Sequence, residues 1–146
     1  MLSKSQARTF FIGGTAVTFL AFIGLTVYSL NPANDQTNHD KIDAKVVRGK
    51  EIWENNNCMG CHTIMGEGAY YAPELGNVWV RYGGKEDASG ARDALKAWMK
   101  GQPSGIEGRR QMPQFNLSET ELDNLVDFLK WTSEVDTQNW PPKVSG

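Results

Sequence analysis

The sequence predicts an all-α protein, in which a single N-terminal transmembrane helix precedes a helical domain with long loops. Three observations lead there. Residues Thr9 to Leu30 carry no charge at all. Three later segments place apolar residues at helical spacing, and the stretches between them hold too much glycine and proline for long helices, with few convincing strands. Loops of that length inside a compact domain need something to wrap around.

The uncharged run, TFFIGGTAVTFLAFIGLTVYSL, gives about 33 Å of helix at 1.5 Å per residue, enough for a hydrocarbon core of about 30 Å. A buried core helix of that length would show a polar face, and only scattered Thr and Ser interrupt this one. A cleaved signal peptide is the rival reading, but the run is long for one and Asn31-Pro32-Ala33 is a poor cleavage site. We therefore expect an uncleaved anchor over 1–30. Lys4 and Arg8 precede the span; Asp35, Asp40 and Asp43 follow it, with Lys41 and Lys45 diluting the asymmetry. The balance points the N-terminus to the cytoplasm. Gly13, Gly14 and Gly24 would let the span pack closely against another helix.

Residues 31–42 are polar, contain Pro32 and read as a linker, so the soluble domain is expected over 43–146. Its first helix should run from Ala44 to Asn57, with Val46, Val47, Gly49, Ile52 and Trp53 on one face, before three asparagines close it. Thr63 to Gly76 is a glycine-rich loop, Leu75 to Val80 a short helix ended by Gly83-Gly84, and 87–100 an amphipathic helix with Ala91, Ala94, Leu95, Trp98 and Met99 as its apolar set. Gly101 to Asn116 is again a loop. The last helix opens on Ser118 as N-cap with Glu121 completing a capping box, and Leu122, Leu125, Val126, Phe128, Leu129 and Trp131 face the core. Pro141-Pro142 is expected to end the ordered chain. Gly49 and Trp53 at i,i+4, opposite Leu125 and Phe128 at i,i+3, suit a close helix crossing flanked by aromatics, and suit ordinary core packing equally well.

Cys58-Met59-Gly60-Cys61-His62 supplies what the loops wrap. Two thiols three positions apart, with an imidazole directly after the second, match covalent c-type haem attachment. The sulfurs of Cys58 and Cys61 add to the porphyrin vinyl groups, and His62 becomes the proximal iron ligand. Both cysteines of the chain are used there. Zinc would want four ligands, and the only other histidine, His39, lies in the linker. A thioredoxin-like dithiol would follow a strand, which Glu54-Asn55-Asn56-Asn57 does not resemble. Haem attachment to such a motif belongs to the outer side of the bacterial cytoplasmic membrane, so the domain is expected in the periplasm. Pro73 follows His62 by eleven residues, where its carbonyl would accept the Nδ1 proton and fix the ring.

The opposite iron ligand separates electron transfer from gas chemistry. Met59 and Met65 lie too close to His62 in the chain to reach the far face, and Met99 sits at core spacing on a helix. Met112 lies in the loop Gly-Arg-Arg-Gln-Met-Pro-Gln-Phe, fifty residues after His62, with Pro113 stiffening the backbone beside it. It is the expected thioether ligand; packing at the haem edge is its alternative role. A thioether closes the coordination sphere and raises the potential, which favours passing electrons over binding substrate. A thiol–disulfide enzyme and a gas sensor remain as other classes, told apart by free titratable thiols and by an exchangeable iron. With 15 basic against 17 acidic residues overall, and 13 against 17 once Lys4 and Arg8 are set aside, nucleic acid is not an expected partner.

The order helix, CxxCH, loop, helix, Met loop, helix resembles a class I cytochrome c domain with one haem. More closely, the chain resembles the membrane-anchored cytochrome c subunits of bacterial respiratory nitric-oxide reductases, over residues 46–58, Gly-Glu-Gly-Ala-Tyr (66–70), Ala-Pro-Glu-Leu-Gly-Asn-Val (72–78), 108–118 and Trp-Pro-Pro (140–142). The resemblance implies a non-catalytic electron-transfer subunit. It would take single electrons from soluble periplasmic cytochromes c or cupredoxins and pass them to a haem b in a large multi-span subunit, where a haem and a non-haem iron reduce NO to N2O. It also implies a calcium ion at the subunit boundary, with Gly68 contributing its carbonyl and Tyr70 its oxygen, and partner carboxylates completing the site. Arg109 and Arg110 would meet haem propionates or the partner, or form a solvated pair. The alternative functions are the anchored cytochrome c of another terminal oxidase and a free-standing electron shuttle.

Overall fold

The computed structural model describes residues 3–138 and 140, with the side chains of 31–35 excepted. The chain divides into two compact units after Thr37.

The first unit is one helix, α1 (Lys4–Gln36), whose segment from Lys4 to Leu30 is long and apolar enough to cross a membrane. Its phenylalanines, leucines and valines are exposed along the whole length, Phe10 and Phe11 each at 70%. Hydroxyls within the apolar stretch turn back onto the helix. Thr18 Oγ1 donates to the Gly14 carbonyl at 3.0 Å, Thr26 Oγ1 to that of Phe22 at 2.8 Å and Ser29 Oγ to that of Thr26 at 2.9 Å. These three groups are thus satisfied without water, as a hydrocarbon surrounding requires. The helix continues to Gln36, six residues beyond Leu30, because hydropathy reports what surrounds a helix and not where its backbone bonds stop.

The second unit contains α2 (Ala44–Asn55), a two-stranded hairpin of β1 (Thr63–Ile64) and β2 (Glu67–Gly68), and the helices α3 (Val78–Arg81), α4 (Ala88–Lys100) and α5 (Glu119–Glu134). Asp43 caps α2, its carboxylate accepting from the amides of Lys45 and Val46 at 2.9 Å. At the other end Asn57 takes a left-handed conformation (φ 52°), which asparagine tolerates, and turns the chain into Cys58. The asparagines after Trp53 therefore end a helix and start the motif.

The core lies between α2 and α5, the helices that pack most extensively. Val46, Ile52 and Trp53 meet Leu125, Val126, Phe128 and Leu129, with Val78, Trp79, Ala91 and Leu95 closing the sides. Gly49 sits at the crossing point; a Cβ there would lie 2.0 Å from the Asn124 carbonyl oxygen and 2.6 Å from Phe128 Cβ. Trp53 and Phe128 pack beside it with ring centroids 6.2 Å apart. The glycine-mediated crossing is the arrangement that the spacing suggests.

Two apolar faces are narrower than periodicity predicts. Val47 is exposed, being about 100° around α2 from Val46, and among the described residues α2 packs extensively on α5 alone of the α-helices. On α4, Ala94 and Trp98 are exposed while Ala91 and Leu95 are buried. The edge of α4 docks through ions instead. Lys96 Nζ lies 2.8 Å from Asp123 and 3.0 Å from Glu119, Arg92 pairs with Asp123 and Asp127, and Lys100 pairs with Glu119. Such pairs fix register more than they add stability.

α5 starts with the expected capping box: Ser118 Oγ accepts from the Glu121 amide at 3.3 Å, and the Glu121 carboxylate accepts from the Ser118 amide at 3.0 Å. Replacing Ser118 with Ala should cost about 1 kcal/mol, whereas Ser118→Asp should cost little, because aspartate caps as well as serine. Thermal unfolding of the full chain in detergent checks both. Pro141 and Pro142, expected to end the ordered chain, lie outside the described residues.

Candidate functional site

Cys58 begins a single 3-10 turn, Cys58–Gly60, in which the Cys61 amide donates to the Cys58 carbonyl at 3.1 Å and the His62 amide to the same oxygen at 2.9 Å. This turn brings both thiols and the imidazole to one short stretch at the C-terminal end of α2. The His62 ring is fixed by its Nδ1, which lies 2.8 Å from the Pro73 carbonyl and must donate to it, leaving Nε2 as the free ring nitrogen. Trp53 from the core packs against the ring, centroids 6.3 Å apart.

Two backbone bonds bracket that contact: Ala72 N donates to the Cys61 carbonyl and Leu75 N to the Thr63 carbonyl, both at 2.8 Å. Between these segments the chain makes the β1–β2 hairpin, with Met65 (φ 54°) and Gly66 (φ 83°) as its two central residues. Positive φ at both positions is the type I′ geometry of a tight hairpin. The sequence predicts only a plain loop here, since two-residue strands leave no periodic trace. Gly68 (φ 121°) is required by packing, because a Cβ would stand 2.3 Å from the His62 carbonyl oxygen.

Met112 lies in a loop without regular structure, held on both sides by glutamines. Gln111 Nε2 donates to the carbonyls of Ile106 at 2.9 Å and Arg109 at 3.1 Å. Gln114 Nε2 donates to the carbonyls of Lys100 at 3.0 Å and Gln102 at 2.9 Å, stapling the loop to the end of α4. Met112, Met99 and Cys58 share one cleft, whose remaining wall is largely apolar: Ile52, Phe115, Leu117, Leu122 and Leu125. His62 does not line it. The structure thus brings a methionine loop and the first cysteine together, and places Met99 on the same cleft. The glutamines have no sequence signal beyond lying within two residues of a methionine.

These residues fit a haem. The donor set is a paired thiol, an imidazole with one nitrogen fixed and the other free, and a thioether beside an apolar cleft. They fit a dithiol enzyme poorly. Burial pushes the Cys58 thiol up to about 11, outweighing a backbone hydrogen bond that lowers it, with the neighbouring Cys61 adding a lesser rise, and a nucleophilic cysteine needs the opposite shift.

The calcium donors do not make a site alone. Tyr70 Oη donates to the Gly66 carbonyl at 3.2 Å, and among the described residues no three His, Cys, Asp or Glu side chains gather as a metal cluster. Two neutral oxygens fall short of the six to eight, carboxylates included, that calcium takes. Arg110 is engaged by Tyr71, bonding its carbonyl and lying 4.6 Å from the ring centroid; Arg109 and Arg110 are both exposed.

Glu74, to which the sequence assigns no role, is only 8% exposed. Its carboxylate accepts from the amides of Met65 at 3.0 Å, Gly66 at 3.1 Å and Gly76 at 2.7 Å, with the fully buried Thr63 hydroxyl beside it. Burial acts to raise its pKa, but the Thr63 hydroxyl and the three amides together outweigh burial and hold the carboxyl below its ordinary 4.5. A depressed folded value stabilises the ionised form, so the contribution is complete above about 4.5 and is lost as pH falls through the folded value. Thermal midpoints should therefore drop in acid, and Glu74→Gln should flatten the part of that drop due to this group.

The sequence pattern of the cytochrome c family matches residues 46–133. Over 144 residues the chain is 54% identical to the C subunit of nitric oxide reductase from Stutzerimonas stutzeri, an alignment covering 99% of this chain and 97% of that one. It is 49% identical over 146 residues to the protein of the same name from Halomonas halodenitrificans, covering 99% and 97%. Against that of Paracoccus denitrificans it is 48% identical over 147 residues, covering 100% and 98%. Likeness of this degree over whole chains, joined to an all-α domain with its CxxCH turn beside an apolar cleft, places the chain in the family of nitric oxide reductase C subunits, cytochromes c that transfer electrons through a covalent haem.

Proposed function

We propose that this chain is anchored in the bacterial cytoplasmic membrane by α1, N-terminus in the cytoplasm, and relays single electrons on the periplasmic side from a soluble cytochrome c or cupredoxin to a haem b of the large catalytic subunit. That subunit, with its b haems and non-haem iron, reduces NO to N2O. The observation that carries the reading is the His62 ring, locked through Nδ1 to Pro73 directly after the second cysteine, in a domain whose whole-chain relatives are nitric oxide reductase C subunits.

Haem c supplies a one-electron ferric–ferrous couple when bound. Cys58 and Cys61 would hold the porphyrin by thioether bonds. His62 would offer Nε2 to the iron, its tautomer set by the Pro73 carbonyl, and Met112 would offer its sulfur as a second ligand. The apolar wall of Ile52, Leu122 and Leu125 excludes water from the cleft, which favours a raised potential. For calcium, this chain would contribute the Gly68 carbonyl and the Tyr70 oxygen to a site completed by carboxylates of the partner.

Purification in mild detergent tests the proposal. Co-isolation with a large partner that carries b haems, and NO reduction driven by reduced cytochrome c or cupredoxin, is the expected result. Isolation of the chain alone, or with an oxygen-reducing partner, would overturn it in favour of a shuttle or another terminal oxidase.

A further inference from the structure

Glu74 has no place in the haem-binding set, yet it is tied into the segment that orients His62. The hairpin begins one residue after His62, at Thr63, and the Pro73 carbonyl that receives Nδ1–H belongs to the peptide unit joining Pro73 to Glu74. In the hairpin turn the amides of Met65 and Gly66 point into one concavity, a nest suited to an anion. Glu74 fills that nest with one oxygen on Met65 N and the other on Gly66 N, while the first oxygen also takes Gly76 N. Its own backbone carbonyl receives Arg81 Nη2 at 2.6 Å, so the residue is held from the α3 side as well. A methionine at φ 54° is a strained choice, and the carboxylate on its amide offsets that strain. The result is a closed frame: His62 leads into the hairpin, the hairpin turn grips Glu74, and Glu74 carries the carbonyl back onto His62.

We propose that Glu74 is a positioning residue for the proximal ligand: by clamping the Met65–Gly66 turn to the Pro73–Gly76 segment it holds the Pro73 carbonyl on His62 Nδ1, and so sets the reduction potential of this subunit. A firm acceptor on Nδ1 makes the imidazole a better donor and favours the ferric state. Loosening the frame should weaken that bond and raise the potential.

The inference rests on His62 being the proximal ligand, and the two are separable. Material from which denaturation frees the haem, or which has none, defeats that ligand reading; the tests below address Glu74 in material that retains covalent haem. Two substitutions distinguish position from charge. Glu74→Asp keeps the charge but is one methylene too short to grip both the turn and Gly76, whereas Glu74→Gln keeps the length and loses the charge. In spectroelectrochemical titration of the purified complex, both should raise the ferrous-to-ferric ratio at fixed potential by roughly tenfold, about 59 mV for one electron. A wild-type potential in Glu74→Asp, with a shift in Glu74→Gln alone, would reduce Glu74 to a nearby charge and overturn the proposal. Hydrogen exchange in the unsubstituted ferrous chain needs no variant to fold. His62 Nδ1–H and the amides of Gly66 and Gly76 should show protection factors within about tenfold of one another, because one frame opens to release all three. Protection of Nδ1–H roughly a hundredfold weaker than that of the amides would equally overturn it.

Discussion

Gly49→Ala is expected to lower the thermal midpoint of the second unit by about 10–20 °C, and Val47→Ala, two residues away on the same helix, by almost nothing. The difference comes from what each side chain meets. The new methyl carbon would stand 2.0 Å from the backbone oxygen of Asn124 and 2.6 Å from Phe128 Cβ. Neither of these atoms can rotate away, since one is main chain and the other the first atom of a buried side chain. α2 and α5 would have to separate by more than about an ångström, opening gaps around Trp53, Leu125 and Phe128. Overpacking of this kind costs about 1–3 kcal/mol and sometimes more, and each kcal/mol is worth about 4–8 °C in a domain of this size. Val47, 47% exposed, loses two methyls that water already touches. Circular dichroism melts of the full chain in detergent would check the pair. Equal midpoints for the two variants would mean that the helices do not cross at Gly49. The consequence reaches the site, because α2 ends at Asn55 and hands the chain directly to Cys58. A displaced α2 should also reduce the yield of haem-loaded protein.

The crossing is legible in the chain alone as one of two arrangements, because glycine and large aromatics at helical spacing suit it and ordinary core packing equally, and the contacts at Gly49 decide for the crossing. The Ser118 capping box and the Pro73 acceptor are legible too, each of which depends on residues a short and countable distance apart. What escapes the sequence is of another kind. The β1–β2 hairpin rests on two positive-φ residues and strands of two residues, too short for any period to register. Glu74 reads only as a glutamate in a loop, and its burial follows from three amides that converge on it from positions two, eight and nine residues away. Gln111 and Gln114 gain their roles in the same way, by reaching backbone carbonyls that tertiary folding brings near. Periodicity puts Trp98 and Ala94 inside because it marks a face and says nothing of its width; α4 buries only the stripe of Ala91 and Leu95. The chemistry of the motif is readable and the frame holding it is not, because frames are made of long-range bonds between side chains and main chain.

Met112→Ala should convert a low-spin, six-coordinate haem into one with an open or water-filled position, and lower its midpoint potential on the order of 0.1 V, well inside the span of roughly 0.8 V that axial ligands command. The cleft offers two methionines, and their supports differ. Met99 is carried by α4, with a side chain that packs against the core. Met112 rides a loop that Gln111 and Gln114 hold by four bonds to main-chain carbonyls, so its backbone is placed with little help from its own side chain. Preorganised loops of this sort suit a ligand, because a sulfur held near its final position loses little entropy on bonding to iron. On the proposed ligation, removing Met112 would therefore cost the iron its thioether while leaving the loop in place. Removing Met99 costs packing, on the order of 2 kcal/mol for a partly buried methionine, with the spectrum and potential preserved. Optical spectra of the reduced protein, carbon monoxide binding and a redox titration read the outcome in both variants. Carbon monoxide binding by Met112→Ala but not by Met99→Ala is the expected pattern, and the reverse pattern transfers the ligand role to Met99. Gln114→Ala gives the intermediate case: with the staple to Lys100 and Gln102 gone, the thioether bond should persist but exchange faster, seen as a fraction of the haem open to carbon monoxide that grows with temperature.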